Sequence, residues 1–178
     1  MEINEILTGN SNQISDFLGK TYKFECLGCE IATKKIVPPG GIIYEDETFI
    51  LAIDPVIPIN GFLVITVKRH INSITGLSKE EQYKLVEIIN KTILILKDLK
   101  IAKEITLVQE ERSKHFHVWI FPNQDWMIEK FGKGVSYLRD ICEYAKQTVS
   151  SDDIQEILKT IEKIKIAYKK ELIDNYKN

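Results

Sequence analysis

Three histidines and three cysteines carry all the imidazole and thiol chemistry open to this 178-residue chain, and four of the six stand in two short motifs. The first motif is Lys114-His115-Phe116-His117-Val118-Trp119-Ile120-Phe121-Pro122. On a strand, alternate side chains share a face, so His115, His117 and Trp119 point one way and Phe116, Val118 and Ile120 the other. The second set is apolar and suits contact with a helix. Two imidazoles side by side are costly unless they have partners or a task. The alternative is a pair of surface histidines on an exposed sheet face.

The second motif is Cys26-Leu27-Gly28-Cys29. An odd cysteine count and a Cys-x-x-Cys in a reducing compartment suggest metal or redox chemistry rather than a structural disulfide. His70, at the end of an apolar run, adds an imidazole. Cys26, Cys29, His70 and His115 together make a closed Cys2His2 set suited to tetrahedral zinc. The spacing is not that of a small zinc finger. An inert or redox-active thiol pair beside a strand-end histidine is the other reading.

Short β-branched and aromatic runs at 42–44, 49–53 and 62–67, separated by Pro/Gly- and acid-rich turns, read as three neighbouring antiparallel strands. Ser78-Lys79-Glu80-Glu81 has capping-box spacing. It opens a helix over 78–99 with Leu85, Val86, Ile89, Ile93 and Leu96 on one stripe. Strands at 105–109 and 115–121 follow, the second stopped by Pro122. Two helices then follow, one from Trp126, whose start Gly132 and Gly134 can delay, and one from Ser150. Residues 1–20 read as a weakly amphipathic arm or short helix, on Ile3, Ile6, Leu7, Ile14, Phe17 and Leu18. Segregated strands with one intervening helix predict an α+β fold on an antiparallel sheet.

Composition narrows the function. The chain is 44% hydrophobic and 28% charged, which excludes a disordered or collagen-like polymer. With 24 basic and 26 acidic residues the net charge is −2, so a nucleic-acid surface is not expected. No apolar run is long enough for a membrane span. The polar, acidic N-terminus does not read as a signal peptide. A cytoplasmic protein without membrane or nucleic-acid partners is expected. Neither a Gly-x-Gly-x-x-Gly nor a Walker loop is present to cradle phosphate.

The segment His115-Phe116-His117-Val118-Trp119-Ile120-Phe121 resembles the signature strand of the histidine triad superfamily, in which histidines alternate with apolar residues. The stretch Ala52-Ile53-Asp54-Pro55, continuing through Gly61-Phe62-Leu63-Val64-Ile65 to Lys68-Arg69-His70-Ile71, is similar to a second block of that family in order and spacing. The resemblance covers roughly residues 24–125. It implies a five-stranded antiparallel sheet with a main helix, nucleotide hydrolase or nucleotidyltransferase activity, and a homodimer. It implies zinc at Cys26, Cys29, His70 and His115, and His117 as nucleophile. A neutral imidazole is nucleophilic near pH 7, and its phosphorylated form is labile enough to be displaced again. Asp54 matches a ribose-contacting position, with a turn-forming role before Pro55 as the alternative. Gln109 and Ser113 correspond to the nucleotide-contacting amide and hydroxyl.

The sequence departs from the family pattern in two places. Trp119 stands where a third histidine is usual, so its contact with nucleotide cannot include proton transfer. The connection 109–114 is short and lacks the family's glycine-rich phosphate loop. The expected organisation is an arm over 1–20, a histidine-triad-like catalytic domain over 21–125 and a helical extension over 126–178. The expected activity is hydrolysis of nucleoside polyphosphates of the diadenosine polyphosphate type through a nucleotidyl-histidine. A nucleotidyltransferase or phosphorylase, and a non-catalytic zinc-stabilised nucleotide-binding protein, are the alternatives. The Ile/Leu-rich helix over 78–99 supports the homodimer, because one face is left over after the sheet is covered.

Overall fold

Hydrophobic alternation sets the strand faces, and the fold follows from how they are covered. The computed structural model describes residues 13–175. Strands β1 (Gln13–Ser15) and β2 (Thr21–Lys23) form an antiparallel hairpin. The main sheet contains β3 (Tyr44–Glu45), β4 (Phe49–Ile53), β5 (Leu63–Val67), β6 (Glu104–Val108) and β7 (His117–Asn123). Its spatial order is β3-β4-β5-β7-β6, antiparallel throughout. The helices are α1 (Leu27–Ala32), α2 (Lys79–Asp98), α3 (Asp125–Phe131), α4 (Leu138–Thr148) and α5 (Ser151–Asn175). The architecture is α+β, as the sequence pattern predicts. Among the described residues, no helix is long and apolar enough to cross a membrane.

One sheet face is packed by α2 and α5. Leu51, Ile53, Ile65, Phe116, Val118 and Ile120 meet Leu85, Ile88 and Ile95 of α2 and Ile157, Ile161 and Ile164 of α5. Ser78 caps α2 as expected: its Oγ accepts from the Glu81 amide, and the Glu81 carboxylate accepts from the Ser78 amide at 2.7 Å. Helix α5 starts on the corresponding exchange between Ser150 and Asp153. Burying this face at about 25 cal/mol per Å² of apolar surface is the main stabilising term.

The other face carries a second cluster. Phe62 and Phe121 pack against Met127 of α3 and against Leu138, Ile141, Cys142 and Ala145 of α4, with Val64, Val108 and Trp119 at its margin. A third, smaller cluster seats α1 through Ile31, Ile36 and Ile50.

Local details resolve or correct the expectations at three places. Ile3, Ile6 and Leu7 of the proposed arm lie outside the described residues. Ile14, Phe17 and Leu18 are not helical. There the Asp16 carboxylate accepts from the amides of Leu18 and Lys20, and Gly19 takes φ +86°, so turn chemistry overrides a weak helical spacing. Pro122 does not end its strand. It pairs with Ile105, while β5 has already ended its pairing with β7 at Ile120, so on that side no partner needs its missing N–H. The stretch after Trp126 forms two helices rather than one, because Gly132 and Gly134 take φ +96° and +115° between them.

Candidate functional site

The antiparallel pairing of β5 with β7 brings the end of one strand beside the start of the other, and two of the chain's three histidines meet there. His70 follows β5, His115 precedes β7, and their rings are edge to face with centroids 5.4 Å apart. Helix α1, entered at Cys26, sets Cys26 and Cys29 against both. Cys26 Sγ lies 3.5 Å from His70 Nδ1 and 3.3 Å from His115 Nδ1; for Cys29 Sγ the distances are 3.2 and 3.5 Å. All four donor atoms fall within 4.8 Å of one another.

That geometry tests the metal expectation. Around a tetrahedral zinc with ordinary Zn–S and Zn–N bonds, sulfur and nitrogen ligands stand about 3.6 Å apart. The four observed S···N distances are close to that value, so the donor set fits zinc. His115 is buried, and its Nε2 lies 2.6 Å from the Val67 carbonyl. A carbonyl can only accept, so the proton sits on Nε2 and the Nδ1 lone pair faces the thiols. This is the outer hydrogen bond that orients a metal-ligating histidine. Burial is the main reason the His115 imidazole titrates below its ordinary value, which keeps it neutral and able to coordinate. Loss of water, and next the neighbouring Cys26, push the Cys29 thiol up to about 11 without a metal.

Gly28 is a residue that sequence reasoning quoted without giving it a role. A Cβ on Gly28 would lie 2.4 Å from His115 Cγ, so only glycine lets the His115 ring pack against α1. Its one sequence signal is its place between the two cysteines.

His117 lies on the same side of its strand but in a different setting. It is half-buried, and its Nδ1 lies 2.9 Å from the His115 carbonyl and 3.3 Å from Ser113 Oγ. The carbonyl again takes the proton, this time from Nδ1, and leaves the Nε2 lone pair uncommitted among the described residues. Ser113 Oγ donates to the same carbonyl at 2.9 Å. Nε2 is therefore the ring nitrogen with a lone pair to offer an electrophile or a hydrogen-bond donor, while Nδ1–H is held by the His115 carbonyl.

The remaining candidates stand at different places on and beside the sheet. The Trp119 ring is 6.3 Å from that of His117 and edge-on to Phe62 at 5.1 Å. Gln109 is exposed just beyond β6. Asp54 follows β4, half-buried, and its Oδ1 accepts from the Val56 and Ile57 amides at 2.8 and 2.9 Å. One oxygen thus does turn-forming work, while Oδ2 makes no hydrogen bond among the described residues. Burial raises the Asp54 carboxyl above its usual range, against the pull of those two amides, His117 and Lys146. Cys142 is buried nearby, and burial with the Asp54 charge pushes its thiol up to about 12, so it is no nucleophile at neutral pH.

A five-stranded antiparallel sheet with one face closed by a long helix and an alternating histidine strand on the other defines a recognisable class. The chain has the fold of the histidine triad proteins. It is similar to a HIT-like protein of Bartonella henselae involved in cell-cycle regulation, at 18% identity and a TM-score of 0.57, covering 82% of this chain and 98% of that one. It is also similar to a zinc-bound histidine triad protein of Mycobacterium smegmatis, at 15% identity and a TM-score of 0.54, covering 80% and 97%. A histidine triad nucleotide-binding protein of Sulfolobus tokodaii shares 21% identity with a TM-score of 0.54, covering 78% and 91%. These likenesses span more of the chain than the stretch 24–125 that carries the sequence resemblance. No protein-family model matches the chain, and no curated protein matches it.

Proposed function

We propose that this chain is a zinc-containing nucleotide hydrolase in which His117 is the nucleophile. The observation that carries the reading is the hydrogen bond from His117 Nδ1 to the His115 carbonyl, which leaves Nε2 as a free, oriented lone pair. Two solved structures of this fold support it, one described as zinc-bound and one as nucleotide-binding.

In this mechanism Cys26, Cys29, His70 and His115 hold the metal. Bound by these four residues, zinc would cross-link α1 to the ends of β5 and β7. His117 Nε2 attacks the α-phosphorus of a nucleoside polyphosphate. The N–P bond forms, the anhydride P–O bond breaks, and the electron pair leaves with the departing phosphate. Water then attacks the same phosphorus, releases the mononucleotide, and returns the lone pair to Nε2. Ser113 holds the His115 carbonyl in place, Asp54 Oδ2 takes the ribose, and Gln109 and Trp119 contact the phosphates. A dinucleoside polyphosphate of the diadenosine type is the proposed substrate.

The test is direct. Wild-type protein mixed briefly with a labelled dinucleoside polyphosphate and quenched in alkali should yield an acid-labile nucleotidyl-protein, mapped to His117, and mononucleotide on longer incubation. Cleavage without any trapped adduct, or equal cleavage by His117→Ala, overturns the mechanism. Appearance of a nucleoside diphosphate only when phosphate is added would instead favour the transferase. A homodimer belongs to the same proposal. Tyr83, Val86 and Leu94 of α2 remain 72%, 62% and 48% exposed, as does Leu107 on edge strand β6 at 48%. A monomeric mass by light scattering at micromolar concentration would remove it.

A further inference from the structure

We propose that Lys146, supplied by the helical region after the sheet, binds the phosphate chain of the substrate. The proposal rests on the nucleotide reading above and names a group that reading does not contain.

The site as built so far has a charge problem. A nucleoside polyphosphate carries several negative charges, yet Ser113, Gln109 and Trp119 offer no cation, His117 serves as a nucleophile only when uncharged, and Asp54 is an acid. Phosphate sites ordinarily use cationic side chains or a run of backbone amides. The connection 109–114 has no glycine to expose such amides. Its arginine, Arg112, is turned onto Glu110 at 2.7 Å.

Helix α4 brings a cation to this face. Ile141, Cys142 and Ala145 pack in one cluster with Phe62 and Phe121, and Ile57 and Trp119 lie at its edge. The helix therefore lies against the sheet face that presents His117, beside the turn that carries Asp54. Lys146 follows Cys142 by four residues, one turn of helix, and so shares its side. Cys142 senses the charges of both Asp54 and Lys146, and Asp54 senses both His117 and Lys146. The Lys146 side chain is 28% exposed and is held at 2.5 Å by Glu143, three residues before it on the same helix. Such a partly exposed pair contributes little and is readily exchanged for a phosphate oxygen.

The test is equilibrium binding to the zinc-loaded, full-length His117→Ala protein, which removes turnover. The probes are adenosine, AMP and a methylene-bridged adenosine polyphosphate. Adding Lys146→Met should raise the Kd for the polyphosphate by about tenfold or more, the Kd for AMP by less, and that for adenosine by under twofold. Lys146→Arg should recover most of the loss. The salt dependence of polyphosphate binding should flatten in the methionine variant only. An equal loss for adenosine and polyphosphate would make Lys146 a structural partner of Asp54 and overturn the proposal. Unchanged binding of all probes overturns it alone and leaves the hydrolase reading standing. Failure of the parent to bind any of the three overturns both.

Discussion

His115 and His117 stand two residues apart on the same side of one chain segment, yet the fold gives them opposite tautomers, which suit the opposite tasks proposed for them. His115 is buried, donates from Nε2 to Val67, and turns Nδ1 toward two sulfurs. His117 is half-buried, donates from Nδ1 to the His115 carbonyl, and leaves Nε2 uncommitted. Residue type does not separate them. Each role is set by which carbonyl lies within reach of which ring nitrogen. One corner is closed and internally satisfied, as a structural metal site should be. The other keeps one nitrogen unpaired among the described residues, as the proposed nucleophile requires.

The largest expected effect separates the two corners outright. His117→Ala should lower turnover by about 10⁴-fold or more, as loss of a covalent nucleophile does, while zinc content and melting temperature stay near the parent values. His115→Ala should lose zinc and melt earlier. Taking about 3 kcal/mol for a lost structural cross-link and about 2–4 °C per kcal/mol for a chain of this size, the midpoint should fall by about 10 °C. Metal analysis and calorimetry on both variants check this. Equal behaviour of the two would erase the distinction.

Trp119 sharpens the open corner. An indole N–H can contact a phosphate oxygen but has no proton to give a leaving group. A phosphate leaving as an anion needs none, whereas an amine leaving from a phosphoramidate does. A missing general acid costs about 10²–10⁴-fold, so kcat/KM for dinucleoside polyphosphates should exceed that for nucleoside phosphoramidates by such a factor. Trp119→His should narrow the gap. A ratio near one would show that another group supplies the proton.

Gly28→Ala probes the closed corner without touching a ligand. The added methyl meets the His115 ring at 2.4 Å, and relieving such overlap costs about 1–3 kcal/mol. Zinc affinity, measured by competition with a chromophoric chelator, should drop while the nucleotide-independent reactivity of Cys142 stays low. Parent-like affinity would show that α1 yields freely.

The smallest effect is in pH. Because the Cys29 thiol is raised to about 11 without metal, zinc binding at neutral pH must displace its proton, so affinity should climb as pH rises toward that value. His115 acts in the same direction in the metal-free protein. Its folded pKa lies below its unfolded value, so its contribution is present above the unfolded pKa and lost as pH falls through the folded one. Proton release on zinc addition, followed in weak buffer, should be positive throughout the neutral range.

Much of this was legible in one dimension. Alternation along 115–121 separates an apolar face from a histidine face, and Phe116, Val118 and Ile120 do enter the core under α2 and α5. Capping chemistry marks the starts of α2 and α5, because Ser78 with Glu81 and Ser150 with Asp153 act within a single turn. The stretch after Trp126 was partly legible: Gly132 and Gly134 stand out in a helical spacing, but only the folded backbone shows a helix on each side of them. Lys146 carried no signal at all, being one of many lysines on mixed-charge helices.

The sequence by itself determined which chemical groups exist and which face of its own element each one takes, since periodicity and capping are local. Only the tertiary structure decided which groups meet. Cys26 lies 44 residues from His70 and 89 from His115, and they converge because β5 and β7 pair out of chain order. It also decided the two tautomers, for a physical reason that no residue type records. Every residue but proline offers the same carbonyl and amide, so the carbonyls of Val67 and His115 become specific only when the folded backbone brings each to a particular ring nitrogen.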